Sequence, residues 1–202
     1  MAEPRPLVLA STSPYRRRML EAAGLAFSVV APGFDESALK TNLAKEKSTA
    51  PAGVAEALAR AKALAASRQA PGALVIGADQ VLALGDEMLD KPGSLAGARE
   101  QLLRLRGRTH RLISAAALAE EGRVVWTGSD QATLTMRTFS DRFLESYLVD
   151  AGARVTGIVG AYEIEGPGIQ LFERIDGDFF TIVGLPLLAL LAELRARGAI
   201  AP

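Results

Sequence analysis

Leu7-Val8-Leu9-Ala10-Ser11-Thr12-Ser13-Pro14-Tyr15-Arg16-Arg17-Arg18 joins a short apolar run directly to the start of a helix. Leu7 to Ser11 reads as a strand. Ser13 is suited to cap the helix and Pro14 to open it, because a hydroxyl accepts an orphan helix N–H and proline has no N–H to lose. The helix is expected to run through Met19 and Leu20 to a stop at Gly24. Hydroxyls and guanidinium groups gathered at a helix N-terminus supply donors and positive charge for several phosphate oxygens. The plain alternative is a capped helix with a solvated basic face.

Outward from this segment, stretches of strand character alternate with helical ones, which is the pattern of an α/β layer architecture. Phe27 to Ala31 is expected as a second short strand, followed by a loop carrying Phe34-Asp35-Glu36. Pro51 to Gln69 is Ala-rich with Val54, Leu58 and Leu64 at helical spacing, a helix that places Lys62 in its last turns. Leu74 to Ala78 is a continuous apolar run ending at Asp79, as in a buried central strand with a carboxylate at its C-terminal edge. Val81 to Leu84, a Gly85-Asp86 turn and Met88-Leu89 suggest a hairpin that delivers Lys91. Ser94 to Leu105 reads as a helix closed by Gly107, and Thr109 to Leu118 with Arg123 to Arg137 as an antiparallel ribbon. Phe139 to Val149 is expected to be helical with Ser140 as its cap. Val155 to Leu185 is glycine-punctuated and β-like, with a buried strand from Phe179, and Leu187 to Arg197 closes the pattern as a helix. No repeat or Pro/Ser-rich linker divides the sequence, so residues 1–202 are expected as one α/β domain whose second lobe is built by insertion.

Composition removes whole classes of function. The 202 residues are 49% hydrophobic, enough for a substantial core. Lys plus Arg and Asp plus Glu both number 23, so there is no basic excess to favour a nucleic-acid surface. The absence of Cys excludes disulfides, Cys-based zinc sites and thiol catalysis, and a single His cannot form a paired-His metal motif. Ahead of Leu7 to Ala10 stands only Met-Ala-Glu-Pro-Arg-Pro, and the apolar run is too short for a signal-peptide core or a bilayer span. Phe179 to Leu194 is broken by Gly184 and Pro186, so a cytoplasmic protein without a membrane segment is expected. The Walker phosphate loop and the glycine-rich dinucleotide fingerprint are both missing.

Several polar residues then need a reading of their own. Asp79, after its apolar run, either caps a turn or faces a cleft where it can hold a metal or take a proton from water. Glu36 reads as a solvated loop acid, and Lys62 and Lys91, taken singly, as surface lysines. His110, between Thr109 and Arg111, reads as a structural residue. Glu165 lies in Tyr162-Glu163-Ile164-Glu165-Gly166-Pro167-Gly168, where alternation suggests a strand with Glu163 and Glu165 on one face. A carboxylate there could also read a base edge. Joined with the ring of Tyr15, it would suit a positively charged purine.

Ser11-x-Ser13-Pro14-x-Arg16-Arg17, Phe34-Asp35-Glu36, Ala59-x-x-Lys62-Ala63, Ala78-Asp79-Gln80, Lys91-Pro92, Gly107-x-Thr109-His110 and Gly184-Leu185-Pro186 occur in this order. The joint pattern, which spans nearly the whole chain, resembles the Maf family of nucleoside triphosphate pyrophosphatases. The resemblance implies a Maf/ITPase-like α/β fold, an elongated mixed sheet with two lobes and a cleft between them. It also implies house-cleaning hydrolysis of a nucleoside triphosphate to monophosphate and pyrophosphate. Position by position, Asp79 matches the acid that activates water, while Ser11, Ser13, Arg16, Arg17, Lys62 and Lys91 match positions around the phosphates. Asp79 and Glu36 match positions at a divalent metal, Mg by default, with Mn and Co as the other oxygen-compatible choices.

Substrate choice in the family is tied to three positions, which here are Tyr15, Gln80 and Glu165. The branch preferring dTTP and UTP shows Arg, Thr and Gln there, whereas the branch preferring 7-methyl-GTP shows an aromatic, Gln and Glu. This sequence resembles the second branch. N7-methylation makes guanine a cation, which a ring can stack on and a carboxylate can pair with. Gly152-Ala153-Arg154-Val155-Thr156-Gly157 lacks the acidic run of the pyrimidine branch, and Asp90 replaces the Gly common before Lys-Pro. The competing readings are pyrimidine triphosphate hydrolysis by the same machinery and a non-catalytic nucleotide binder linked to septum formation. The expected partner is the nucleotide, with no nucleic acid or membrane, and family habit suggests a homodimer.

Overall fold

Four consecutive buried residues, Leu7–Ala10, form strand β1, and the chain turns at once into helix α1, Pro14–Ala22. In this computed structural model, which describes residues 5–45 and 50–201, Ser13 caps α1 and Pro14 occupies its first turn. Met1 to Pro4, the beginning of the N-terminal segment read above, lie outside the described residues. Strand β2 is only Ser28–Val29. The Phe34-Asp35-Glu36 loop is shorter than expected, because Asp35 accepts the Ala38 N–H at 2.9 Å and Glu36 begins helix α2, Glu36–Lys45. Helix α3, Pro51–Ser67, buries Val54, Leu58 and a row of alanines together with Lys62.

Strand β3, Leu74–Leu84, corrects a second expectation. Asp79 does not end a strand; it lies inside one continuous strand that includes Val81 to Leu84. The antiparallel hairpin to β4, Glu87–Leu89, forms as read. Helix α4, Leu95–Leu105, is capped by Ser94, and β5, Thr109–Glu120, passes to β6, Arg123–Met136, through Glu121 and Gly122. Those two residues have φ of 46° and 72°, the left-handed pair that a tight two-residue hairpin turn requires. Helix α5, Asp141–Ala151, is capped by Ser140.

Beyond α5 the β-like reading of Val155 to Leu185 fails except at β7, Phe172–Asp176. Gly152–Gly157 and Pro167–Leu171 are 3-10 turns, and Phe179–Val183 is a short helix, α6, where a strand was expected. Glu163 lies in irregular chain and Glu165 in a turn, so they share no strand face. Glycine punctuation here serves compact turns, which satisfy their own backbone groups without sheet partners. Helix α7, Leu187–Ala196, follows Pro186.

The strands form a seven-stranded mixed sheet in the order β2-β1-β3-β5-β6-β7, with β4 pairing β3. β1 is parallel to β2 and to β3, in a register that sets Ala10 opposite Gly77. β6 and β7 are antiparallel, with Leu134 opposite Ile175.

The chain divides into two compact units. The first comprises Met1–Gln80, Ser114–Asp130 and Gly184–Pro202. In it Gly77 lets α3 approach β3 closely, since a Cβ there would lie 2.5 Å from Ala63 N and against the Ala59 carbonyl. The second comprises Val81–Ile113 and Gln131–Val183, with a core built on Leu82, Leu102, Leu105, Leu134, Phe139 and Leu144. No helix among the described residues is long and apolar enough to cross a membrane.

Candidate active site

The first unit gathers most of the candidate residues. Ser11 follows the end of β1, and its hydroxyl accepts the Ser13 N–H at 3.2 Å and Arg16 Nη1 at 3.3 Å. Ser13 Oγ accepts the Arg16 N–H at 3.5 Å as the cap of α1. Arg16 Nε donates to the Gly184 carbonyl at 2.9 Å, so the guanidinium is held between the β1–α1 step and the segment before α7. The Ser11 and Ser13 hydroxyls and a fixed guanidinium form a donor set of the kind that suits phosphate oxygens.

Beside it stand the charged residues of α2, α3 and β3. Lys62 Nζ donates to Asp79 Oδ1 at 2.5 Å and lies 2.9 Å from Glu36 Oε2. Asp79 and Lys62 are buried. The strand continues past Asp79 because its carboxylate finds this partner on the helix packed over it, and Gly77 permits that packing. Burial would raise the Glu36 pKa, but the hydrogen bond and charge of Lys62, aided by Lys40, hold it below the usual carboxylate value. Burial lowers the Arg16 pKa, although the charges of Asp79 and Glu36 oppose that shift.

Two carboxylates thus converge on one cationic centre, the Lys62 ammonium, which marks where a positive ion is favoured. The described residues contain no group of three or more His, Cys, Asp or Glu able to hold a metal. Two carboxylates fit Mg or a similar hard cation, which binds through one or two carboxylates and completes its shell with water and substrate phosphates. The same donor set does not suit zinc or a soft metal.

The remaining candidates are distributed differently. The Arg17 side chain pairs with Glu21 at 2.7 Å on the exposed face of α1, while its backbone N–H donates to the Ser13 carbonyl at 3.2 Å. The Tyr15 ring carries the Arg18 guanidinium 4.9 Å from its centroid. Gln80 Nε2 donates to Ser114 Oγ at 3.1 Å, and a Cβ on Gly184 would lie 3.8 Å from Gln80 Oε1 and 3.7 Å from Arg16 Nε. Lys91 and Glu165 belong to the second unit, both exposed, one after β4 and one in the turn before Pro167. His110, also in the second unit, is buried and pairs with the Tyr162 hydroxyl at 2.7 Å, in keeping with a structural role.

Sequence reasoning overlooked the Gly184 carbonyl and the Ser114 hydroxyl as partners of site residues. Ser114 carries a weak signal, a lone hydroxyl within the apolar strand from Leu112 to Ala119. A backbone carbonyl has none.

A family model described as Maf-like protein matches residues 6–197. The chain is 52% identical over 194 residues to a 7-methyl-GTP pyrophosphatase of Mesorhizobium japonicum, across 96% of this chain and 97% of that protein. It is 53% identical over 195 residues to a nucleoside triphosphate pyrophosphatase of Paramagnetospirillum magneticum, across 96% and 100%. A 7-methyl-GTP pyrophosphatase of Brucella abortus is 50% identical over 194 residues, across 96% and 97%.

Proposed function

We propose, from the premise that the chain belongs to the Maf family, that it hydrolyses 7-methyl-GTP to 7-methyl-GMP and pyrophosphate in the cytoplasm. The observation that carries the reaction is the buried Asp79–Lys62 pair, with Glu36 on the same ammonium and Arg16 close enough to feel both carboxylates. The substrate reading rests on the relatives named for that activity and on Tyr15, Gln80 and Glu165 as the base-recognition set.

Asp79 accepts a proton from water, whose oxygen attacks the α-phosphorus. The new P–O bond forms as the bond from the α-phosphorus to the bridging oxygen breaks, and pyrophosphate leaves with that electron pair. The two carboxylates engage two of the three Lys62 N–H donors, so the third is available to a phosphate oxygen. Arg16, with Ser11 and Ser13, holds phosphate oxygens beside the α1 N-terminus. Asp79 and Glu36 would hold a divalent cation, Mg first, whose charge neutralises the departing pyrophosphate.

Pyrophosphate release by the purified protein with Mg, comparing 7-methyl-GTP, GTP, UTP and dTTP at one concentration, tests this reading. Preference for 7-methyl-GTP supports the reaction and the base assignment together. Preference for UTP or dTTP keeps the chemistry and discards the base assignment, and no release from any of them leaves a nucleotide-binding protein.

A further inference from the structure

We propose that His110 is a positioning residue for base recognition, fixing the turn that carries Glu165 through its hydrogen bond to Tyr162. The proposal rests on the 7-methyl-GTP reading for the role of Glu165, and on geometry within the second unit for everything else.

His110 is the second residue of β5 and is almost wholly buried. Its ring packs 5.7 Å from that of Tyr162 and 6.0 Å from that of Phe172, while Tyr162 and Phe172 meet edge to face at 4.8 Å. An apolar residue could fill such a space. Histidine instead leaves Nδ1 buried with no hydrogen-bond partner, and either tautomer keeps one ring nitrogen unpaired once Nε2 bonds the Tyr162 hydroxyl. A buried orphan of this kind is costly. The Nε2 to Tyr162 bond, at 2.7 Å, is the compensating contact, and its effect falls on the segment that Tyr162 begins.

That segment is tied at several other points. The Gly160 N–H donates to Gln101 Oε1 at 2.6 Å, and a Cβ on Gly160 would strike the Tyr162 ring. Ala161 sits at φ 57°, left-handed for a residue with a side chain, and its carbonyl accepts the Tyr147 hydroxyl at 3.0 Å. Arg154 pairs with Glu163 at 3.3 Å, the Gly166 N–H bonds the Glu163 carbonyl at 3.3 Å, and a Cβ on Gly168 would lie 2.5 Å from that carbonyl. The chain from Gly160 to Gly168 is therefore stiff at both ends, with the exposed Glu165 between them. Tyr162, three positions before Glu165, is the buried side chain that locks this turn to the sheet, and His110 on β5 is what its hydroxyl grips.

The test compares kcat and KM for 7-methyl-GTP and UTP in wild type, His110→Leu, Tyr162→Phe and His110→Gln, each also in a Glu165→Gln background. His110→Leu should lower the 7-methyl-GTP to UTP ratio of kcat/KM about tenfold, through KM, with little further change once Glu165 is Gln. Tyr162→Phe, which keeps the ring and its packing, should do the same. His110→Gln, whose amide can still reach the Tyr162 hydroxyl, should recover most of the ratio. Equal losses on both substrates, or the same loss in the Glu165→Gln background, overturn the proposal.

Hydrogen exchange supplies a readout without substrate. Amides of residues 161–166 and 168 should exchange faster in Tyr162→Phe while those of α5 do not, and unchanged rates overturn the anchor. If the wild-type protein itself shows no 7-methyl-GTP preference, the substrate reading fails on that ground, and exchange decides the anchor alone.

Discussion

Lys62 and Asp79, which stand 17 positions apart, meet at 2.5 Å with both side chains buried, the lysine reaching from α3 and the aspartate from the middle of β3. Breaking such a pair leaves an uncompensated buried charge, whereas the intact pair holds both groups ready beside Glu36 and Arg16.

Asp79→Asn removes the carboxylate proposed to accept the proton, with little change in volume. Turnover should fall at least ~100-fold while nucleotide affinity stays within a few-fold, read by pyrophosphate release and by calorimetric titration. Retained turnover sinks Asp79 as the base.

Lys62→Met takes the counter-ion from two carboxylates. The nucleotide-free protein should then bind Mn2+ about tenfold more tightly than wild type in a calorimetric titration, because the site gains one net negative charge. Unchanged or weaker Mn2+ binding argues against Asp79 and Glu36 as cation ligands.

Gly77→Ala puts a methyl group against the Ala59 carbonyl and the Ala63 backbone. The expected loss is about 1–3 kcal/mol in a urea midpoint measurement, together with reduced turnover, since Lys62 rides on the displaced helix. A midpoint equal to that of wild type means α3 yields without strain.

Burial lowers the His110 pKa from 6.5 to about 4. The unfolded chain therefore takes up a proton before the folded one, so the contribution is intact above pH 6.5 and is lost as pH falls toward 4. Across that window the loss from this residue is about 3 kcal/mol. Denaturation midpoints measured between pH 7 and 4 should decline less steeply in His110→Gln, and identical slopes would remove His110 from the acid response.

How far the sequence could be read depended on whether each signal was local. The β1–α1 step, with Ser13 and Pro14, is written in adjacent residues and forms as expected. The full length of β3 is not legible past Asp79, because two polar residues look like an edge while their satisfaction comes from distant partners, Lys62 and Ser114. α2 is hidden in the sequence although Glu36 and Lys40 stand at helical spacing, because the Phe34-Asp35-Glu36 step has the residue types of a loop. Val155 to Leu185 reads as β-like in sequence, yet its chain builds 3-10 turns that bury Val155 and Leu171. The ordered motifs located Ser11, Arg16, Lys62 and Asp79, but not the Gly184 carbonyl that orients Arg16.

That carbonyl gives the protein's synthesis a timetable. Arg16 and the backbone oxygen it grips are 168 positions apart, and the unit that holds the charged cluster takes its final piece from Gly184–Pro202. A ribosome makes the hydroxyls, the arginine, the lysine and both carboxylates long before it makes Gly184. The emerging chain carries nearly every one of these groups in an unfinished frame, and a fragment that stops short of Gly184 lacks the oxygen that orients Arg16.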